Sequence, residues 1–197
     1  MSSYILIAFF TSLIAVTWIH PLIVKIARDK NIVDNPNTRK LQSRPIPVLG
    51  GMAVFFGIII GLAFTSNHSA SISLMPIIAA MLIMLYIGTM DDIVNLSAQK
   101  RFLMEIGVIL LLIFTNNMLI DNFHGLWGVN EISRGIAIPL TIFAAVGIIN
   151  SINLIDGVNG LSSGYCILAS TIFGIFFYLT DNLPMVILAT VSVGSLI

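Results

Sequence analysis

Charge is scarce in this chain. Of 197 residues only 9% are Asp, Glu, Lys or Arg, nine of each sign, and the formal net charge is zero. A soluble domain carries about 25%. That deficit, with 57% hydrophobic residues and a mean hydropathy of +1.02, excludes an ordinary soluble fold and indicates an integral membrane protein. Global charge offers nothing for nucleic acid, and none is expected as a partner. Cysteine is almost missing. Cys166 stands alone in an apolar run, which rules out an intrachain disulfide framework and reads as a buried small hydrophobe. No Lys or Arg precedes Lys25, and the first apolar stretch is too long for a signal h-region, so no cleavable signal peptide is expected. Internal repeats and low-complexity tracts are also absent.

What is present is a series of long apolar segments. A spanning helix needs about 20 residues, and uncharged runs read at roughly 4–24, 48–66, 72–90, 102–120, 135–153, 163–180 and 184–197. The expected fold is an all-α polytopic membrane protein of about seven transmembrane helices, the last one short. Residues 1–197 are expected to form a single transmembrane domain. Ser66-Asn67-His68-Ser69 is the turn signal inside the uncharged 45–90 run, so a tight hairpin is placed there. Lys25, Arg28, Lys30, Arg39, Lys40 and Arg44 fall in the first loop, Lys100 and Arg101 in the third, and only Arg134 elsewhere. The positive-inside rule then makes loops one, three and five cytoplasmic and places the N-terminus outside. The 121–134 stretch, with Trp127 among paired glycines and aromatics, reads as a small interfacial hairpin on the outer face.

Gly88-Thr89-Met90-Asp91-Asp92 closes the third apolar segment with two adjacent carboxylates. Ionisable groups at such a boundary cost free energy, and two side by side repel, so a cation is expected to offset them; an idle, solvated acidic cap is the alternative. Ser97 reads as the N-cap of the fourth helix with Leu96 as a staple residue. Arg101 and Glu105, four apart, read either as an interfacial ion pair or as partners of the aspartates.

Two further loops carry candidates. In the first, Pro36, Pro45, Pro47 and Gly50-Gly51 forbid a simple helix. Arg39, Lys40 and Arg44 make a positive rim there, and the backbone amides of Gly50-Gly51 open a helix toward an anion; holding the loop inside is the plainer role of such basic residues. In the fifth, Asn150, Asn153, Asp156 and Asn159 recur every three residues. An unbroken helix would spread them, each step turning back by about 60°, whereas breaks at Gly157 and Gly160 let them converge. Asp91, Asp92 and Asp156 then lie on one face beside a basic loop, a donor set suited to Mg²⁺ and a diphosphate. His20 reads as a packed core residue. His68 and His124 fall on the outer face, away from the aspartates. Gly57-x-x-x-Gly61 reads as a helix-packing motif.

At "DNPNTRKLQSRPIPVLGG", "GTMDDIVNLSAQKRF" and "NLIDGVNGLSSG" the chain resembles the polyprenyl-phosphate N-acetylhexosamine-1-phosphate transferases. That family includes the phospho-N-acetylmuramoyl-pentapeptide transferase and the undecaprenyl-phosphate GlcNAc-1-phosphate transferases, and the first block looks closer to the second branch. "FHGLWGVNEIS" is similar to the family's extracytoplasmic hairpin. The resemblance implies Mg²⁺-dependent transfer, with Mn²⁺ as an alternative ion, of a sugar-1-phosphate from a UDP-sugar such as UDP-GlcNAc to a polyprenyl phosphate, releasing UMP. It implies a multi-pass protein of the plasma (inner) membrane with a cytoplasmic active face, serving cell-wall or lipopolysaccharide assembly, and it admits a homodimer. Asp91, Asp92 and Asp156 would be the catalytic and metal-holding residues; Arg39, Lys40, Asn150, Asn153 and Asn159 would bind substrate. Three departures stand out. Gln42 replaces a histidine common in the GlcNAc branch. Asn159 replaces a second aspartate. The family continues past the position of Ile197 to a further metal-binding aspartate and a His-rich loop, so this is expected to be an N-terminal portion of that fold. The competing readings are a catalytically inactive lipid-phosphate or nucleotide-binding module, or half of a split protein, and a small transporter with a carboxylate cation site.

Overall fold

The computed structural model describes residues 2–34, 45–65, 68–94, 96–156 and 160–197, the backbone alone at 2 and 68–72. Seven α-helices follow one another among these residues: α1 (Ser2–Asp29), α2 (Gly50–Thr65), α3 (His68–Val94), α4 (Ala98–Asn116), α5 (Arg134–Ile155), α6 (Leu161–Leu179) and α7 (Leu183–Leu196). Strands β1 (Val33–Asp34) and β2 (Ile46–Pro47) pair antiparallel, Val33 opposite Pro47 and Asp34 opposite Ile46. They close the base of the first loop.

Each of the seven apolar segments carries a helix, and among the described residues four helical stretches are long and apolar enough to cross a membrane: Ser3–Asp29, Ser73–Val94, Arg134–Ile155 and Leu161–Leu179. Helices α2 and α7 are apolar but have only 16 and 14 residues, short of the ~20 that a bilayer core requires. Helix α4 has 19 residues but carries Lys100, Arg101 and Glu105 in its first two turns. Of the expected Ser66–Ser69 turn, 66 and 67 lie outside the described residues, and α3 already runs from His68.

Helix ends follow local chemistry with one correction. Ser97 occupies the N-cap of α4 in an extended conformation, but its side chain makes no cap hydrogen bond. The residue is exposed, so water can serve the open N–H groups that the hydroxyl leaves. Asn182, missed in the sequence, does cap: its side chain accepts from the Met185 amide at 3.4 Å, with Pro184 in the first helical turn. Asn117 ends α4 in the left-handed region at φ 52°, and Arg134 Nη2 donates to its side-chain oxygen at 2.6 Å. The 121–134 segment is a hairpin, bridged at Asn122 and Glu131. Phe123 N donates to Asn130 O at 2.7 Å and Ile132 N to Asp121 O at 2.8 Å.

The chain divides into two compact units, one of Met1–Met75 with Ile155–Ile197 and one of Pro76–Leu154. In the first, α1, α2 and α7 meet through small residues. A Cβ on Gly57 would strike Val16 and lie 2.7 Å from Ser195 Oγ; on Gly61 it would lie 2.6 Å from Val191 Cγ1; on Gly194 it would strike Ser12 Oγ and lie 2.6 Å from the Phe9 carbonyl oxygen. Lipid tails give no hydrophobic drive between helices, so close backbone approach has to supply the attraction. Gly57 and Gly61 are that seam, as the motif suggested. Buried Ser12 and Thr65 donate back to Phe9 O at 2.9 Å and Gly61 O at 2.6 Å, which removes the cost of an unpaired hydroxyl. His20, expected in the core, is exposed instead and borders an open cavity beside Leu49 and Gly50. Cys166 is half-buried.

Overpacking this seam should be felt. Gly61→Ala is expected to lower the thermal midpoint in detergent by the equivalent of ~1–3 kcal/mol. Gly107→Ala, where an added Cβ meets nothing within 4 Å, should leave the midpoint unchanged or raise it.

Candidate functional site

In the Pro76–Leu154 unit two apolar clusters run into one polar knot. Ala80 and Ile87 of α3, with Met84 beside them, pack on Val108 of α4. Ile109 and Ile113 of α4 pack on Val146 of α5. Residues four apart share a helix face, so each stripe extends by one turn into a polar side chain: Ile87 to Asp91, Ile109 back to Glu105, Val146 to Asn150. The seam that is apolar through most of the unit therefore ends in a carboxylate, a second carboxylate and a carboxamide.

Arg101 ties these together. Its Nη1 donates to Asp91 Oδ2 at 2.9 Å and its Nη2 to Asn150 Oδ1 at 3.4 Å. Its Nε lies 3.7 Å from Glu105 Oε1, an ion pair longer than a hydrogen bond. Asn150 Nδ2 donates to Glu105 Oε2 at 2.7 Å and to Val146 O at 3.0 Å. The orientation of that carboxamide follows from charge: nitrogen toward the carboxylate, oxygen toward the guanidinium. Both of its hydrogens are used inside the fold. Glu105 is only 2% exposed, so the expected interfacial ion pair is a buried one, and Arg101 is a partner of the aspartate as well. One guanidinium serves two carboxylates. The C-terminal end of α3, which carries no basic residue in its last turn, adds the negative pole of the helix.

The other sequence-derived residues fall as follows. Asp92 is exposed next to Asp91 in α3. Asn153 is exposed in α5, which is regular through Ile155, so Asn150 and Asn153 diverge as a helix requires. The chain breaks after Ile155, and Gly160 has φ 75°, a left-handed conformation that glycine adopts at no steric cost. Asp156 belongs to the first unit; it is exposed in the turn and accepts a hydrogen bond from Ser162 of α6. Arg39, Lys40 and Asn159 lie outside the described residues. In the first unit a cavity of about 270 Å³ is lined by His20, Arg28, Pro47, Leu49 and Gly50 among others, at the N-terminus of α2 whose amides the sequence offered to an anion.

Within neither unit do three His, Cys, Asp or Glu side chains converge, among the described residues, as metal ligands. The donors available at Asp91, Asp92 and Asp156 are carboxylate oxygens, the hard ligands that Mg²⁺ takes one or two at a time beside water and phosphate. The chemistry of that donor set fits such an ion. Sequence reasoning missed Glu105 as a buried group and Ser162 as the partner of Asp156. The first was signalled by its spacing: positions 105, 109 and 113 form one stripe of α4.

Comparison with known proteins adds to this geometry. The sequence model of glycosyl transferase family 4 matches residues 74–197. The chain is 33% identical over 165 residues to a probable undecaprenyl-phosphate N-acetylglucosaminyl 1-phosphate transferase of Bacillus subtilis (strain 168), covering 83% of this chain and 46% of that protein. It is 27% identical over 164 residues to the undecaprenyl-phosphate alpha-N-acetylglucosaminyl 1-phosphate transferase of Escherichia coli O157:H7, covering 83% and 44%. With the Yersinia pestis protein of the same description it shares 25% over 174 residues, covering 88% and 47%. The chain thus spans about half the length of the curated relatives it matches.

Arg101 is the charge on which this knot turns. Arg101→Leu leaves the buried Glu105 without its cation, and a loss of about 2–3 kcal/mol is expected, read as a lower unfolding midpoint in detergent. Lys100→Leu, at an exposed neighbour, should change the midpoint little.

Proposed function

Because the chain belongs to glycosyl transferase family 4, we propose that it carries the catalytic face of an enzyme moving N-acetylhexosamine-1-phosphate from a UDP-sugar to a polyprenyl phosphate, with release of UMP. The observation that carries this reading is the polar knot at the end of α3. It places Asp91 at the mouth of an apolar helix unit, half-exposed and fixed by Arg101, with Asp92 beside it. A lipid phosphate whose chain stays in the bilayer has to react at such a boundary. The relatives named above are described as acting on undecaprenyl phosphate, which supports the acceptor class.

In this reading Asp91, Asp92 and Asp156 would hold Mg²⁺, which when bound neutralises charge on the transferring phosphoryl group. Arg39 and Lys40 would bind phosphate oxygens, and Asn153 and Asn159 the nucleotide side. Asn150, whose amide hydrogens are engaged by Glu105 and Val146, would act through the knot. Ser162 would hold the Asp156 carboxylate in place. Loops one, three and five would face the cytoplasm, where UDP-sugars are found, with the N-terminus outside.

The direct test is label transfer from radiolabelled UDP-GlcNAc to undecaprenyl phosphate in membranes holding the full-length protein, with and without Mg²⁺. Chelation should abolish transfer, and Asp92→Asn and Asp156→Asn should each lower it by ~10²-fold or more; unchanged labelling in either variant removes that residue from the site. For orientation, cysteines placed singly at Ser97 and Ser163 in a Cys166→Ser background should react with an impermeant thiol reagent from the cytoplasmic side only.

A further inference from the structure

We propose that Glu105 is a positioning residue of the Asp91 site, acting through Asn150 and Arg101. The inference rests on the transferase reading above. An acid that is 2% exposed in an apolar helix unit is expensive to keep, and packing alone would favour a leucine. Glu105 keeps its place by geometry. Its Oε2 takes one hydrogen of Asn150 Nδ2 at 2.7 Å, and Val146 O takes the other at 3.0 Å. With both hydrogens committed, the Asn150 oxygen has one direction left, toward Arg101 Nη2. Glu105 Oε1 faces the Nε edge of the same guanidinium at 3.7 Å. Arg101 is thereby approached on two sides, by Asn150 on Nη2 and by Glu105 on Nε, and its remaining Nη1 is aimed at Asp91 Oδ2 at 2.9 Å. The planar fork makes this a matter of orientation as well as charge.

The network ties α4 to both of its neighbours. Asn150 is on α5, Glu105 and Arg101 are on α4, and Asp91 is on α3. A flexible Arg on the first turn of α4 would lose side-chain freedom to hold Asp91; Glu105 and Asn150 remove that freedom in advance. The reacting groups would then find one Asp91 oxygen fixed by Arg101 and the carboxylate plane set. A misplacement of ~1 Å at such a site costs on the order of 10²-fold in rate. Glu105 touches no substrate in this arrangement, so its loss should appear in kcat rather than in the binding of the nucleotide sugar.

The test uses the full-length protein in membranes with labelled UDP-GlcNAc and undecaprenyl phosphate. Rates are normalised to folded protein measured by size-exclusion in mild detergent. Glu105→Leu removes both acceptor oxygens and should lower kcat by ~10- to 100-fold while KM for UDP-GlcNAc stays within about threefold of wild type. Glu105→Gln keeps an acceptor for Asn150 and should recover most of the rate. The Glu105→Leu/Arg101→Gln double variant should be no slower than Arg101→Gln alone, because one residue acts through the other. Wild-type kcat in Glu105→Leu, or losses that multiply in the double variant, overturns the proposal. If Glu105→Leu does not fold, thermal midpoints of Glu105→Gln, Arg101→Gln and their double variant decide: additive shifts overturn the coupling. If the wild-type protein transfers no label, the transferase reading fails instead, and the midpoint cycle still reports whether Glu105 acts through Arg101.

Discussion

A single buried carboxylate organises the helices that carry the candidate site. Glu105 sits where an apolar stripe of α4 would otherwise continue, and an acid in that position is stable only if hydrogen-bonded and charge-matched. Those two needs are met by a residue of a neighbouring helix and by one a turn earlier in α4 itself. Asn150 comes from α5 for the hydrogen bond, and Arg101 supplies the charge while reaching on to Asp91 of α3. The cost of burying one charge is thus offset by contacts that fix three helix ends against one another. Apolar packing of Ile87, Val108, Ile109 and Val146 brings the helices together along their length but does little to set their rotation. The polar knot does set it, since hydrogen bonds have direction and hydrophobic contacts do not.

The two compact units solve different packing problems. The Met1–Met75 and Ile155–Ile197 unit has little polar glue and relies on glycine and serine to let α1, α2 and α7 approach closely. The Pro76–Leu154 unit has bulkier aliphatic side chains in its seam and a charged closure at one end. In membrane terms these are the two available means of holding helices, close van der Waals contact and polar bonds, used separately. That division suits a catalytic role for the second, because a charge network can be biased by a bound ion or phosphate while a tight apolar seam cannot.

Much of this was readable from residue order. The seven helices followed from apolar runs bounded by Asn67, Asn95, Asp121 and Asp156, and the family followed from three motif blocks. The seam at Gly57 and Gly61 followed from their spacing. The count of spans was less legible, because α2 and α7 are apolar enough but fall short in length, and length depends on where a helix ends more than on where hydropathy stays high. Ser97 shows the same limit at one residue: the sequence places a cap, but the hydroxyl makes no cap hydrogen bond. Asn150 and Asn153 were expected to converge with Asp156 and Asn159 through breaks at Gly157 and Gly160, yet α5 stays regular until Ile155 and spreads the first two as an unbroken helix does. Glu105 was visible as a charge four residues from Arg101. Its burial was hinted at only by its place on the 105, 109 and 113 stripe of α4; how completely that stripe is covered depends on α3 and α5 arriving from either side.

The glycine seam has a consequence for assembly. Gly194 of α7 packs directly on Phe9 and Ser12 of α1, yet it leaves the ribosome roughly 180 residues after them. At about 5–20 residues per second, the first helix waits on the order of 10–35 s for its partner. Through that interval the Ser12 hydroxyl has its own carbonyl, Phe9 O at 2.9 Å, so it is not left orphaned in lipid. What it lacks is cover for its small-residue groove, and the nascent chain must be sheltered or simply tolerated by lipid until α7 slots in.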